Sequence, residues 1–126
     1  MLFFIKTKQA FIVICCLFVF TLLSCSNSNQ AEGLNRNPAH VAYSKHARCR
    51  MQCRHIYENE VVEILHEGAI NYSKSQLNTD ACHNRYAVEG YSKDNQHLRI
   101  IFASCGNDIT VITCIDLDND WWCDCQ

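Results

Sequence analysis

Arg85-Tyr86-Ala87-Val88-Glu89-Gly90-Tyr91, Leu98-Arg99-Ile100-Ile101-Phe102-Ala103 and Ile109-Thr110-Val111-Ile112-Thr113-Cys114-Ile115 decide how this chain folds. The first run sets Tyr86, Val88 and Gly90 against more polar neighbours, and the third sets Ile109, Val111, Thr113 and Ile115 the same way. A period of two is what a strand shows when one of its faces is buried. The middle run is more continuously apolar, which places it centrally in a sheet. Ser92–Gln96 and Gly106-Asn107-Asp108 supply turn chemistry between the runs. A shorter strand-like run, Ala69–Tyr72, comes before them. Strands in sequence joined by short turns predict an antiparallel meander.

Upstream the period changes. Pro38 suits the first turn of a helix, where its missing N–H is not needed. Val41 to Arg54 contains neither Gly nor Pro and is predicted to be helical. A second helix is predicted from Tyr57 to Glu67, because Val61, Ile64 and Leu65 fall at i, i+3 and i+4. Asn59 is a candidate N-cap for it, and Gly68 stands where a left-handed C-cap belongs. The expectation is an α+β domain over residues 38–126, with two N-terminal helices packed on a three- to four-stranded antiparallel meander sheet.

The N-terminus reads as an address. Lys6 and Lys8 precede an uncharged apolar run from Ala10 to Leu23, the pattern of an export signal. The run is short for a membrane span, which takes roughly 20 apolar residues. Leu22-Leu23-Ser24-Cys25 resembles the lipobox of bacterial lipoproteins. Residues 1–24 are therefore expected to be a signal peptide, with Cys25 the site of lipidation by diacylglyceryl and fatty-acyl groups such as palmitate. Two buried acyl chains anchor stably where one is marginal. Residues 25–37 are polar and are expected to form a tether. The alternative is an uncleaved helix from Leu2 to Leu23. Ser26, in place of an aspartate, favours the periplasmic face of the outer membrane.

Charge sets further limits. Lys6 and Lys8 account for two of the 11 Lys and Arg residues, so the exported part holds 9 bases against 13 acids, a formal charge of −4. That balance argues against a sequence-independent nucleic-acid binder. The expected partners are the membrane, through the anchor, and an unidentified protein. No Gly-rich phosphate loop or serine nucleophile motif is visible, and no cofactor is implied.

His46-Ala47-Arg48-Cys49-Arg50-Met51-Gln52-Cys53-Arg54-His55-Ile56 resembles the opening signature of domain-of-unknown-function family 4258, His-Ala-x-x-Arg-Met-x-x-Arg-x-Ile. The resemblance continues through Glu60–Gly68, Arg85–Gly90, Leu98–Ile101 and Val111–Thr113, and covers about Tyr43 to Ile115. Tyr57 stands where members of that family often have Ser or Thr, and the export signal and cysteine-rich tail lie beyond the pattern. The resemblance implies the fold and no activity.

On a helix, His46, Arg50 and Arg54 fall at i, i+4 and i+8 and form one polar stripe, with Tyr43 one turn before. An imidazole beside guanidinium groups can do acid–base work next to a bound anion, so these three are the candidate catalytic residues. The layout is similar to that of small ribonuclease toxins, which makes a ribonuclease-like enzyme one reading. In the leading reading, Arg50 and Arg54 pair with Glu60, Glu63 or Glu89, His46 packs or caps, and the domain is a non-catalytic binding or structural module.

Seven cysteines follow Cys25: Cys49, Cys53, Cys82, Cys105, Cys114, Cys123 and Cys125. An exported domain this rich in cysteine points to disulfides, and an odd number leaves one over. The preferred pairing ties Cys123 and Cys125 of the tail to Cys82 and Cys105. A thiolate metal site from those four is the rival, as is one built on His46, Cys49 and Cys53. Neither spacing matches the paired Cys-x-x-Cys of zinc folds, so no metal is favoured. Asp116-Leu117-Asp118-Asn119-Asp120 begins like a calcium loop but has Trp121 where the turn needs Gly, and reads as an acidic surface turn. Trp121 and Trp122 are expected to cover the sheet edge or form a contact patch.

Overall fold

The computed structural model describes residues 33–77 and 80–126. The signal peptide expected over residues 1–24, the lipid site Cys25 and most of the expected tether lie outside them. In chain order the elements are β1 (His40–Tyr43), α1 (Lys45–Arg54), α2 (Glu58–Glu67), β2 (Ala69–Ile70), β3 (Arg85–Tyr91), β4 (His97–Cys105) and β5 (Asp108–Asp116), with 3₁₀ turns at Tyr72–Lys74 and Ala81–His83. One five-stranded sheet has the order β1-β5-β4-β3-β2. Among the described residues no helix is long and apolar enough to cross a membrane.

This corrects the expected architecture. The sheet is mixed and not an antiparallel meander alone, because β1 pairs in parallel with β5, His40 opposite Asp108 and Tyr43 opposite Val111. Both helices follow this first strand and so are not the N-terminal elements. The segment after Pro38 departs from the helical expectation because Val41 and Tyr43 alternate inward and pack on the core, a strand's period of two. Ser44 ends the strand and starts the helix. Its backbone is extended, its Oγ accepts from the Ala47 N–H at 2.9 Å, and its hydroxyl donates to the Ile112 carbonyl at 2.9 Å. The receiving carbonyl belongs to the residue skipped where the β4–β5 register shifts, since Ile101 faces Thr113 while Phe102 faces Val111. A bulge thus presents an unpaired group to the N-cap.

The core lies between the helices and one sheet face. Ala47 and Met51 of α1 and Val61, Ile64 and Leu65 of α2 pack against Tyr86, Val88, Leu98, Ile100, Phe102, Ile109, Val111 and Cys114. At the end of α1, His55 takes a left-handed conformation (φ 53°), which lets the Ile56 N–H reach the Met51 carbonyl at 2.9 Å. The second helix starts one residue after Tyr57, and Tyr57, not Asn59, is its N-cap. Glu60 reaches back to the Tyr57 N–H at 2.9 Å. Its other oxygen accepts from the Ser92 hydroxyl at 2.6 Å, so this almost fully buried carboxylate joins α2 to the β3–β4 turn. Gly68 is extended (φ −68°, ψ 157°) and is not the left-handed cap its position suggested. The α2 carbonyls are instead met by Arg36, whose guanidinium donates to Leu65 O at 2.9 Å and Gly68 O at 2.8 Å. Leu34 packs on the core as well, so the folded unit begins before residue 38. At the β4–β5 hairpin, Gly106 supplies the positive φ (59°) that a two-residue turn of the II′ kind needs at its first position.

Candidate functional site: the basic face of α1 and the C-terminal strap

α1 is Lys-His-Ala-Arg-Cys-Arg-Met-Gln-Cys-Arg, with no acid in it. Ala47 and Met51 take its core side, which leaves His46, Arg50 and Arg54 as a half-buried stripe beside Cys49 and Cys53. Arg50 Nε donates to His46 Nε2 at 3.4 Å. The imidazole lone pair is therefore turned to a guanidinium, where a general base would keep it for substrate. Arg54 reaches across to the sheet and donates to the Cys114 carbonyl. Burial, and then Arg50, press the Arg54 guanidinium below its ordinary value, while Cys114, Asp116 and Asp120 pull it back.

The expected ion pairs of this stripe do not form. Glu60 is bound to Ser92, Glu63 to Lys93 at 3.4 Å, and Glu89 to Arg99 at 2.5 Å. Among the described residues no carboxylate stands within ion-pairing distance of Arg50 or Arg54. Tyr43 belongs to β1 and lies under the Arg48 guanidinium, 5.1 Å from its ring centre.

Two disulfides tie the tail to this helix. Cys49 bonds Cys125 and Cys53 bonds Cys123, while Cys82 bonds Cys105. The pairing differs from the expected one, in which the tail reached Cys82 and Cys105. Those two pair with each other at a Cα separation of 4.4 Å, and the tail runs back along α1. Cysteines at i and i+4 lie one above the other on a helix, so an antiparallel segment with cysteines two apart can bond both. That signal was present in Cys49, Cys53, Cys123 and Cys125, but it depends on where the tail goes. Among the described residues no cluster of metal-ligating groups is found. The thiols of either proposed metal set are taken up in disulfides. The seventh cysteine, Cys114, is buried, and burial pushes its thiol up to about 12, with Arg54 pulling the other way. A thiol in that setting is inert at neutral pH.

Asp116 aims the tail. It is nearly buried, and its carboxylate accepts from Asp118 N at 3.0 Å, Asn119 N at 3.1 Å, Asn119 Nδ2 at 3.0 Å and Trp121 Nε1 at 2.9 Å. The calcium-like run is thus a turn organised by its own first carboxylate. Trp121 stands edge-on to His55 with 5.4 Å between ring centres, and Trp122 is 92% exposed. Burial raises the Asp116 carboxyl, but the donors from Trp121, Asn119 and Asp118 outweigh it and hold the group below its ordinary value. An unfolded Asp titrates near ~4, so this contribution is complete above that pH and drains away as pH falls through the lower folded value. Asp116→Asn turns an N–H₂ toward existing donors and is expected to cost about 2 kcal/mol at neutral pH. In urea melts its deficit against wild type should shrink as pH drops below about 4. A deficit independent of pH would show that charge is not what Asp116 contributes.

A helix face with paired disulfides to an acidic tail, carried on a mixed α+β sheet, defines a small disulfide-stapled domain. Residues 43–116 match the family described as "Domain of unknown function (DUF4258)", and the chain belongs to that family. The match stops at Asp116, so the segment carrying Cys123 and Cys125 lies outside the matched residues. No curated protein and no solved structure matches the chain.

Proposed function

We propose that this chain is an exported, lipid-anchored protein of the bacterial envelope whose family domain binds a partner and does not catalyse a reaction. The observation that carries the reading is the state of the cysteines. Six of the seven that follow Cys25 lie in three disulfides, and the seventh is buried. Reducing compartments keep thiols free, so a small domain stapled in this way is suited to an oxidising one. The apolar leader and the Leu22-Leu23-Ser24-Cys25 lipobox supply a route there and an anchor, with the periplasmic face of the outer membrane favoured by Ser26. The binding half of the reading is supported by the stripe itself. His46 faces a guanidinium and Arg54 is spent on a backbone carbonyl, an arrangement suited to holding shape and charge.

The test is metabolic labelling with palmitate followed by detergent phase partition. The wild-type chain is expected to take up label, lose residues 1–24 by intact mass and enter the detergent phase, whereas Cys25→Ser remains unlabelled. A wild-type chain with its leader intact and a bare Cys25 thiol would overturn the reading.

A further inference from the structure

The strap and the helix it covers are opposite in charge. α1 carries Lys45, His46, Arg48, Arg50 and Arg54 and no acid. Leu117 to Gln126 carries Asp118, Asp120 and Asp124 and no base. The strap lies antiparallel to α1, with Cys123 at Cys53 and Cys125 at Cys49, and each of these helix cysteines is one turn from members of the His46–Arg50–Arg54 stripe. Its backbone meets the helix closely, the Trp122 carbonyl oxygen 3.5 Å from Cys53 Sγ. Arg48 has a partner in Glu58 at 3.5 Å, whereas Arg50 has none among the described carboxylates. The family match ends where the strap begins. The strap therefore lies outside the matched residues and covers a helix inside them.

We propose that the strap is a covalently latched stand-in for an acidic polypeptide, and that opening the Cys49–Cys125 and Cys53–Cys123 bonds turns α1 into a docking face for an acidic segment of another protein. The inference deepens the binding half of the function proposed above and does not depend on the anchor. The occupant already in place argues for a peptide: an extended chain lies along the helix, tied to it at Cys53 and Cys49, and its Asp120 acts electrostatically on Arg54. Opening needs a dithiol reductant. Each bond takes two electrons and two protons from one dithiol, which leaves as its own disulfide, so two dithiols yield thiols at all four positions. The freed strap stays joined at Asp116 and competes with the incoming segment from there.

The test measures fluorescence anisotropy of a labelled oligo-glutamate peptide against the full chain. Oxidised wild type is expected to bind it weakly. Cys123→Ser/Cys125→Ser, checked for retained sheet signal by circular dichroism, is expected to bind about 10-fold more tightly, with the gain lost on adding Arg50→Glu. Asp120→Asn/Asp124→Asn keeps both strap disulfides and is expected to gain about threefold by removing negative charge beside the same cations, which decides the matter if the serine variant does not fold. Equal affinity across these proteins, or a gain that survives Arg50→Glu, overturns the proposal. Tighter binding of inorganic polyphosphate than of the peptide to the opened chain overturns the choice of a protein as partner.

Discussion

Cys53→Ser is expected to lower stability by only about 2 kcal/mol, whereas Cys123→Ser/Cys125→Ser, which removes both strap bonds, is expected to cost about 6 kcal/mol. The two bonds span 76 and 70 residues of sequence. Taken alone, either one closes a long loop in the unfolded chain and removes about 4 kcal/mol of its conformational freedom. They are nested, however. Once Cys49 is joined to Cys125, the remaining bond closes only the small ring through Cys53 and Cys123 and adds about 2 kcal/mol. Either single loss therefore leaves the long closure intact, and the double loss removes it. For a domain of this size each kcal/mol moves the melting temperature by about 4–8 °C, so the single variant should melt some 10 °C lower and the double about 30 °C lower. Differential scanning calorimetry on wild type, Cys53→Ser, Cys125→Ser and the double variant separates the cases. Two singles whose losses simply add to the double would show that the bonds act locally on the native strap and not through the unfolded chain.

What the sequence discloses about this fold follows the distance over which each signal acts. β3 was legible to the residue, Arg85–Tyr91, because its period is local and its turn residues flank it. The Gly106-Asn107 turn was legible for the same reason. β1 was not, since four residues without Gly or Pro are as compatible with a helix as with a strand, and the choice is made by pairing with β5 more than sixty residues away. Ser44 was the local clue: an N-cap residue three positions before Ala47 places the helix start after Tyr43. Arg36 lay in a polar stretch with nothing to mark it as a cap for α2, because its partners are backbone carbonyls of another element. The stripe of His46, Arg50 and Arg54 was visible from helical spacing, but its want of ion pairs was not, because Glu60, Glu63 and Glu89 are claimed by Ser92, Lys93 and Arg99 from other parts of the chain. The strap pairing depended on Asp116, which read as one acid among several until its donors fixed the path of the residues after it.

Gly68→Ala is expected to cost about 3 kcal/mol, and Gly68→Asn more than that. The order of the two is the informative part. If Gly68 were needed for a left-handed cap, Asn would be the better substitute, because it tolerates that conformation. Its φ of −68° is open to any residue, so conformation is not the constraint. Space is: a Cβ there would lie 2.6 Å from the Ile64 carbonyl oxygen, 2.7 Å from Val88 Cγ1 and 2.9 Å from the Glu89 carbonyl oxygen. Two of these are backbone atoms, one at the end of α2 and one in β3, so relief comes only by moving the helix off the sheet. That movement would strain the Gly68 N–H bond to Ile64 O, now 2.9 Å, and the Arg36 contact to Gly68 O. It would also draw β2 away from its register, Ala69 opposite Glu89 and Ile70 opposite Val88. Asn adds an amide to the same crowded site, where its polar atoms meet carbonyls already engaged. Urea denaturation gives the ranking, and amide exchange shows where the strain goes: protection at Asn71, whose N–H is bonded to the Ala87 carbonyl, should fall before protection in β4. Asn at or above Ala in stability would mean that the backbone angle, and not the approach of α2 to β3, is why glycine stands at this position.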